Sequence, residues 1–306
     1  MNGVLLVDKP LGFTSHDVVA YTRLLLQIKK VGHLGTLDPL ATGLLVLCLG
    51  KATRLAKFTS GWDKVYIGVV QLSHSTTTYD LEGKPLGKPT EVKVEKKEVI
   101  RVLSSFRGRI KQLPPQFSAK KVAGKPMYRY ARQGVTMQIK PVEVEIYDIE
   151  LLKLFPAQLW LKVSCSAGTY LRSLAHDIGH ALGCGGYLSY LRRVRSGSFS
   201  LADALPMDQL LRFYQRGKLK EKITPLEDLF PEFPTLRVDS QGKQKLLHGM
   251  KLSSGEFQRE SPISTERDYY KALDERGKLV AIGRFTQPGD SPEEDFKPEV
   301  VLLDDK

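Results

Sequence analysis

The chain has 306 residues, a length that suits one large domain or a large one joined to a small one. Its 42% hydrophobic and 26% charged residues exclude a disordered or fibrous chain, and 46 Lys and Arg against 34 Asp and Glu give a net charge of +12 that favours a polyanionic partner. No apolar run approaches the ~18 residues of a membrane span and no basic segment precedes an apolar core at the N-terminus, so a cytoplasmic protein without membrane contact is expected.

Residues 3–7 (GVLLV) predict a short buried strand, turned at Asp8-Lys9-Pro10 because the residue before proline is pushed out of helical geometry. A helix follows, capped by Thr14 or Ser15, with Asp17 in its first turn, apolar positions at Val18, Val19, Leu25, Leu26 and Ile28, and its end marked by Lys29 and Lys30. A loop rich in Gly, Thr and Pro from Gly32 to Gly43 then leads into LLVLCL at 44–49, whose continuous hydrophobicity is that of a strand covered on both faces. Inside that loop Asp38-Pro39 sets a turn, and the glycines at 32, 35 and 43 permit close approach of a ligand to the backbone. An aspartate in such a turn is unremarkable by itself.

Further strands are predicted at 64–72, 142–154 and 158–165. A helix at 95–106 has Val99, Val102, Leu103 and Phe106 at helical spacing, and one at 169–182 has Leu171, Leu174, Ala175, Ile178 and Leu182, with Gly183 as its left-handed cap. Another helix spans 207–216, and Pro225, Pro231 and Pro234 mark a boundary, beyond which YYKAL, KLVAIGRF and EVVLL read as short strands. Strands and helices do not alternate as strict βαβ units. The expected class is α+β: a mixed, largely antiparallel sheet with flanking helices over residues 1–234, and a small β-rich domain over 235–306.

From Arg107 to Lys140 the chain carries nine Lys or Arg and no acid, with Phe117, Tyr128 and Tyr130 interleaved. Cations beside aromatic faces suit phosphate neutralisation and stacking on unpaired bases, so Lys120, Lys121, Lys125, Arg129 and Arg132, with Arg192 and Arg193 after the YLSYL run, are the candidate RNA contacts. Cys48, Cys165 and Cys184 lack a CxxC pair and read as core residues. His176 and His180 stand four apart on a predicted helix without a third ligand and read as helix-surface residues, so no metal site is expected.

The strings GVLLVDKPLGFTSHDVV, VGHLGTLDPLATGLLVLCLGKATR, DKVY, LPPQFSAKKVAGKPMYRYAR, SCSAGTYLRSLAHDIG and GCGGYLSYLRR resemble the TruB family of bacterial tRNA pseudouridine synthases over nearly all of residues 3–195. The resemblance implies the pseudouridine synthase fold with a PUA-like RNA-binding domain at the C-terminus, and isomerisation of uridine 55 in the T loop by base flipping and exchange of an N- for a C-glycosidic bond. It implies Asp38 as the catalytic aspartate, Arg172 as its partner and Tyr66 as the tyrosine that stacks on the base. His33 would fill the space the base leaves, Tyr170 and Leu191 would line the base pocket, and Lys9 would support the catalytic loop. The acid-free segment, about 107–140, coincides with the family's thumb-like insertion. No cofactor is implied, and the partner is the tRNA T stem-loop, met by a monomer without guide RNA or protein helper; a role in tRNA folding is compatible with this. Where the family usually reads TDTxD, this chain has Thr76-Thr77-Thr78-Tyr79-Asp80, with Thr77 in the first acidic position.

The chemistry needs a carboxylate near sugar and base, whether it attacks C1′, adds to C6 or removes the C2′ proton. Three rivals differ in what they require. A non-catalytic RNA-binding protein would not need Asp38, Tyr66 and Arg172 together. A guide-dependent relative lacks the basic thumb. A carboxylate glycosidase needs a second catalytic carboxylate, which is not evident.

Overall fold

Three strands set the centre of the molecule: β1 (Gly3–Lys9), β2 (Val31–His33) and β3 (Ala41–Leu49). They come from a computed structural model, which describes all residues except 118–120, 123, 124, 128, 129, 131, 132, 134, 136, 138, 261–268, 287–294 and 304–306. Strand β3 pairs antiparallel with both β1 and β2, and every one of its residues is buried. Side chains alternate along a strand, so this requires a cover on each face.

The first cover is helical. Helix α1 (Ser15–Leu26) starts on a capping box, in which the Thr14 hydroxyl accepts from the Asp17 N–H and the Asp17 carboxylate accepts from the Thr14 N–H. It ends at Gln27 in a left-handed conformation, short of Lys29. Its core is shared with Leu5, Val7, Leu45, Leu47 and Leu49, and α2 (Lys96–Ser105) and α3 (Leu171–Ala181) extend the same core further along the sheet. The opposite residues, Val4, Leu6, Leu44, Val46 and Cys48, face a second core that includes Leu226, Phe230, Leu279, Ile282 and Val300.

The main sheet continues outward through β4 (Lys64–Leu72), β5 (Gly108–Gln112), β6 (Val142–Phe155), β7 (Gln158–Cys165) and β8 (Gly186–Ser196), in the spatial order β1-β3-β8-β4-β7-β6-β5. Only β3–β8 and a two-residue edge pairing at Leu205–Pro206 are parallel, so the sheet is mixed and largely antiparallel. Strand β8 has no clear signal in the sequence, because YLSYLRR mixes apolar and cationic residues without clean alternation. Two register shifts against β4 show why the period is broken. At the start of the acid-free segment, residues 108–112 form an edge strand on β6, with Arg109 and Lys111 facing water. Charges on an edge strand discourage unwanted pairing. The predicted helix at 207–216 is a 3-10 turn, Met207–Gln209, followed by α4 (Leu210–Gln215).

A five-stranded sheet begins at Thr235: β9 (Thr235–Val238), β10 (Phe257–Arg259), β11 (Tyr270–Asp274), β12 (Leu279–Phe285) and β13 (Phe296–Val301), ordered β10-β9-β11-β12-β13, with α5 (Ser240–Leu247) against it. It is joined to the large sheet by the second core, by an aromatic group of Phe58, Phe230, Phe233 and Tyr269, and by a Lys57–Glu299 ion pair at 2.7 Å. No helix among the described residues is long and apolar enough to cross a membrane.

Candidate active site

The loop between β2 and β3 carries Asp38 and is fastened from three directions. The Ser15 hydroxyl accepts from the Leu37 N–H at 2.8 Å and donates to the Leu37 carbonyl at 3.1 Å, while Leu34 and Leu37 are buried. The fully buried Lys9 sends its Nζ to the carbonyls of Pro10, Phe13 and Pro39, at 3.0, 2.6 and 3.3 Å, and the Gly12 N–H also donates to the Pro39 carbonyl. Burial lowers the Lys9 amine to about 8, against the opposing pull of Asp38 and Asp17.

From below, Arg193 on β8 reaches both flanks of the loop, with Nε to the Leu44 carbonyl at 2.8 Å and a terminal nitrogen to the Gly35 carbonyl at 3.0 Å. Gly43 makes this crossing possible. Its φ of +97° disfavours any side chain, and a Cβ there would sit 2.4 Å from the Arg193 carbonyl. Arg193 is 1% exposed. The expectation that it contacts RNA phosphate is therefore corrected: its guanidinium is turned inward and occupied by the loop that holds Asp38. The sequence signal for this was available in Gly35 and Gly43, although nothing in the sequence pairs them with position 193.

Arg172 enters from the first turn of α3 and is itself buried. Its Nε lies 3.0 Å from Asp38 Oδ2, and a terminal nitrogen lies 3.2 Å from Oδ2 of the buried Asp80. The other terminal nitrogen donates to the Phe117 carbonyl at 2.8 Å. A planar guanidinium held on three sides has little freedom to turn, so it fixes the Asp38 carboxylate in direction as well as in charge. Asp80 is steadied by the Thr78 hydroxyl and the Glu82 N–H. The departure at Thr77 leaves this group untouched: Thr77 is exposed and bonded to the backbone of Lys84 on both sides.

A cleft of about 530 Å³ opens over these groups, lined by Thr14, His33, Asp38, Asp80, Phe117 and Arg172 among others. The Asp38 side chain is 39% exposed to it. The protein packed around the rest of the carboxyl removes water and raises its pKa; Arg172 opposes the rise and Asp80 adds to it. His33 also lines the cleft, and burial with the nearby Arg193 and His16 charges lowers its pKa, so its ring is neutral at pH 7. Its Nδ1 is buried without a partner.

Tyr66, Tyr170 and Leu191 are absent from the side chains that wall the cleft. Tyr66 lies behind the Asp38 loop, 8% exposed, with Arg193 nearby and its pKa raised by burial. Leu191 is a core residue. Gln112 holds the Tyr170 backbone through both of its amide atoms, at 2.9 and 3.3 Å, which anchors the start of α3 against β5. Arg192 is partly exposed and paired with Asp8 at 2.6 Å. Lys120, Arg129 and Arg132 lie outside the described residues, and Lys121 and Lys125 are described in backbone only, each in a two-residue strand. Among the described residues, no group of three His, Cys, Asp or Glu side chains is placed to hold a metal ion.

The profile of the TruB family pseudouridylate synthase N-terminal domain matches residues 23–171, and that of the tRNA pseudouridylate synthase B C-terminal domain matches 172–230. The chain is 43% identical over 288 residues to the tRNA pseudouridine synthase B of Solibacter usitatus, covering 94% of this chain and 97% of that protein. It is 37% identical over 292 residues to that of Pseudomonas fluorescens, covering 94% and 93%. Among solved structures, a Cbf5-Nop10-Gar1 complex superposes with a TM-score of 0.76 at 26% identity, over 98% of this chain and 85% of that one. An H/ACA RNP bound to a substrate RNA containing 2'-deoxyuridine gives 0.75 at 26% identity, over 99% and 85%.

Proposed function

The chain belongs to the TruB family of pseudouridylate synthases, an isomerase that forms pseudouridine in tRNA, and from that premise we propose that Asp38 performs the chemistry on uridine 55 of the T loop. The observation that carries this reading is the Asp38–Arg172–Asp80 chain at the floor of the cleft, with Arg172 Nε 3.0 Å from Asp38. The bond from N1 to C1′ breaks, the uracil turns, a bond from C5 to C1′ forms and the C5 proton leaves. A carboxylate serves whether it attacks C1′, adds to C6 or takes the C2′ proton. The raised pKa of Asp38 suits each route, because a more basic carboxylate is the better nucleophile and base.

The target base must leave its stack to reach a cleft of this depth. His33, neutral and on the cleft wall, is the residue we assign to the vacated space. Tyr66 receives the uracil behind Asp38, with Tyr170 and Leu191 beside it, which requires the wall to open as the base enters. We assign the basic segment after Phe117 to contact with the RNA backbone, and Arg172 donates to the Phe117 carbonyl at its start. We read residues 1–234 as the catalytic unit and 235–306 as a PUA-like RNA-binding unit, working as a monomer without guide RNA or partner protein.

The test is release of tritium from C5-labelled uridine in a T-arm transcript with no added protein or RNA. Wild-type protein releases it; Asp38→Asn binds the RNA and releases none. Turnover by that variant would remove Asp38 from the mechanism. Binding that weakens steeply between two salt concentrations is expected for several phosphate contacts.

A further inference from the structure

His176 and His180 stand one and two turns after Arg172 on α3, outside the chemistry assigned above. They differ in placement. His180 is exposed, as the sequence suggests, whereas His176 is half-buried with its ring against that of Tyr79, the centroids 4.0 Å apart and the planes 19° from parallel. The Nδ1 of His176 is buried without a hydrogen-bond partner, so what the imidazole offers on this side is its flat face. Tyr79 is unusual in its own right: its φ is +63°, a left-handed conformation that is costly for a bulky side chain. We propose that His176 is a positioning residue, which through its stack on Tyr79 holds the turn that sets Thr78 and Asp80 against Arg172. The proposal rests on the reading of Asp38 as the catalytic carboxylate.

The turn shows why the stack matters. Thr78 and Asp80, on either side of Tyr79, face the same terminal nitrogen of Arg172, the Thr78 carbonyl at 3.5 Å and Asp80 Oδ2 at 3.2 Å. The left-handed bend between them lets a backbone carbonyl and a carboxylate two residues apart converge on one donor. The Tyr79 main chain is pinned on one side of the turn, its N–H donating to the Thr76 carbonyl at 3.2 Å and its carbonyl accepting from the Leu188 N–H on β8 at 2.9 Å. The His176 ring meets its side chain, and a stacked ring pair offsets part of the strain that a left-handed residue carries. Residues four apart share one face of a helix, so α3 grips the turn at two points, its polar groups through Arg172 and its ring through His176. Loss of the second point lets Arg172 shift against Asp38, whose carboxylate it orients from 3.0 Å.

The experiment reads rate, affinity and pH together. In single-turnover tritium release from the C5-labelled T-arm transcript, His176→Ala lowers the rate constant about tenfold, the scale of a displacement under ~1 Å, and leaves RNA affinity unchanged. Its acid limb moves to higher pH, because burial and Asp80 raise the Asp38 carboxyl while Arg172 and Lys9 lower it, and a less well seated Arg172 lowers it less. A ring that only stabilised the fold would lower the melting temperature and leave that limb in place. His176→Phe, which keeps a flat face without a titrating group, recovers most of the rate. His176→Leu, of similar bulk but not planar, repeats the loss and guards against the effects of a cavity left by alanine. Tyr79→Gly takes the left-handed conformation without a ring, and in that background His176→Ala adds no further loss. A wild-type rate and acid limb in His176→Ala, recovery by leucine as full as by phenylalanine, or an undiminished loss in the Tyr79→Gly background would each overturn the proposal. Turnover by Asp38→Asn would instead sink the reading of Asp38 on which it rests.

Discussion

Replacing Arg193 separates two roles that its position in the basic LRR run does not distinguish. Arg193→Met keeps length and apolar stem but removes the hydrogen bonds to the Leu44 and Gly35 carbonyls. Leu44 is fully buried, so its carbonyl loses a charged donor where water does not replace it, at ~1–3 kcal/mol; Gly35 is exposed, and its loss is nearer the ~1 kcal/mol of an ordinary net hydrogen bond. The sum is about 2–4 kcal/mol, and removing a buried charge offsets part of it. Thermal unfolding should shift down by roughly 3–6 °C. Catalysis should suffer more than binding, because a 1 Å displacement of a reacting group costs up to ~100-fold. In single-turnover tritium release the rate constant should fall at least about tenfold, with RNA affinity unchanged. Arg193→Lys, which keeps the charge but lacks the fork, should recover stability better than rate. A variant that loses RNA affinity and keeps its rate constant would refute this reasoning and return Arg193 to the phosphate contacts.

Three further outcomes follow from burial and charge. Because the folded pKa of Asp38 is raised, its ionised form costs stability as pH rises through that value; Asp38→Asn should therefore unfold at pH 7 at the same or a higher temperature than wild type, and a clear drop in melting temperature would contradict this. The same shift places the acid limb of the rate above the ordinary aspartate value of 3.8, with activity lost as pH falls through it, which a pH series of single-turnover rates will read. Burial pushes the Cys48 thiol up to about 12 and Cys165 to about 11, so a thiol reagent at pH 8 should label neither until denaturant opens the core, and rapid labelling of native protein would count against the buried placement.

The sequence was most informative where one local force acts alone. The capping box at Thr14–Asp17, the strand at Lys64–Leu72 and the helix carrying Arg172 follow from side chains a few residues apart. Strand β8 is hidden in the sequence because its contacts with β3 and β4 are long-range, and its bulges break the two-residue period by which strands are recognised. Asp38 and Arg172 are legible only through their resemblance to a family, and the place of Asp80 on the far side of Arg172 depends on chain folding across 92 positions. Arg193 misled for the opposite reason. A basic residue in a basic run looks like surface, and only the positive φ at Gly35 and Gly43 shows the backbone making room for it.

The double-sided burial of β3 has a bearing on how this enzyme can be divided. The strand leaves the Asp38 turn and presents Leu44, Val46 and Cys48 to the core shared with Leu279, Ile282 and Val300. A protein cut at residue 234 would expose that face to water, so the C-terminal sheet is a wall of the building rather than a detachable porch. Anyone seeking a minimal catalyst, or grafting a different RNA-binding module in its place, would need to redesign the back of the central strands at the same time.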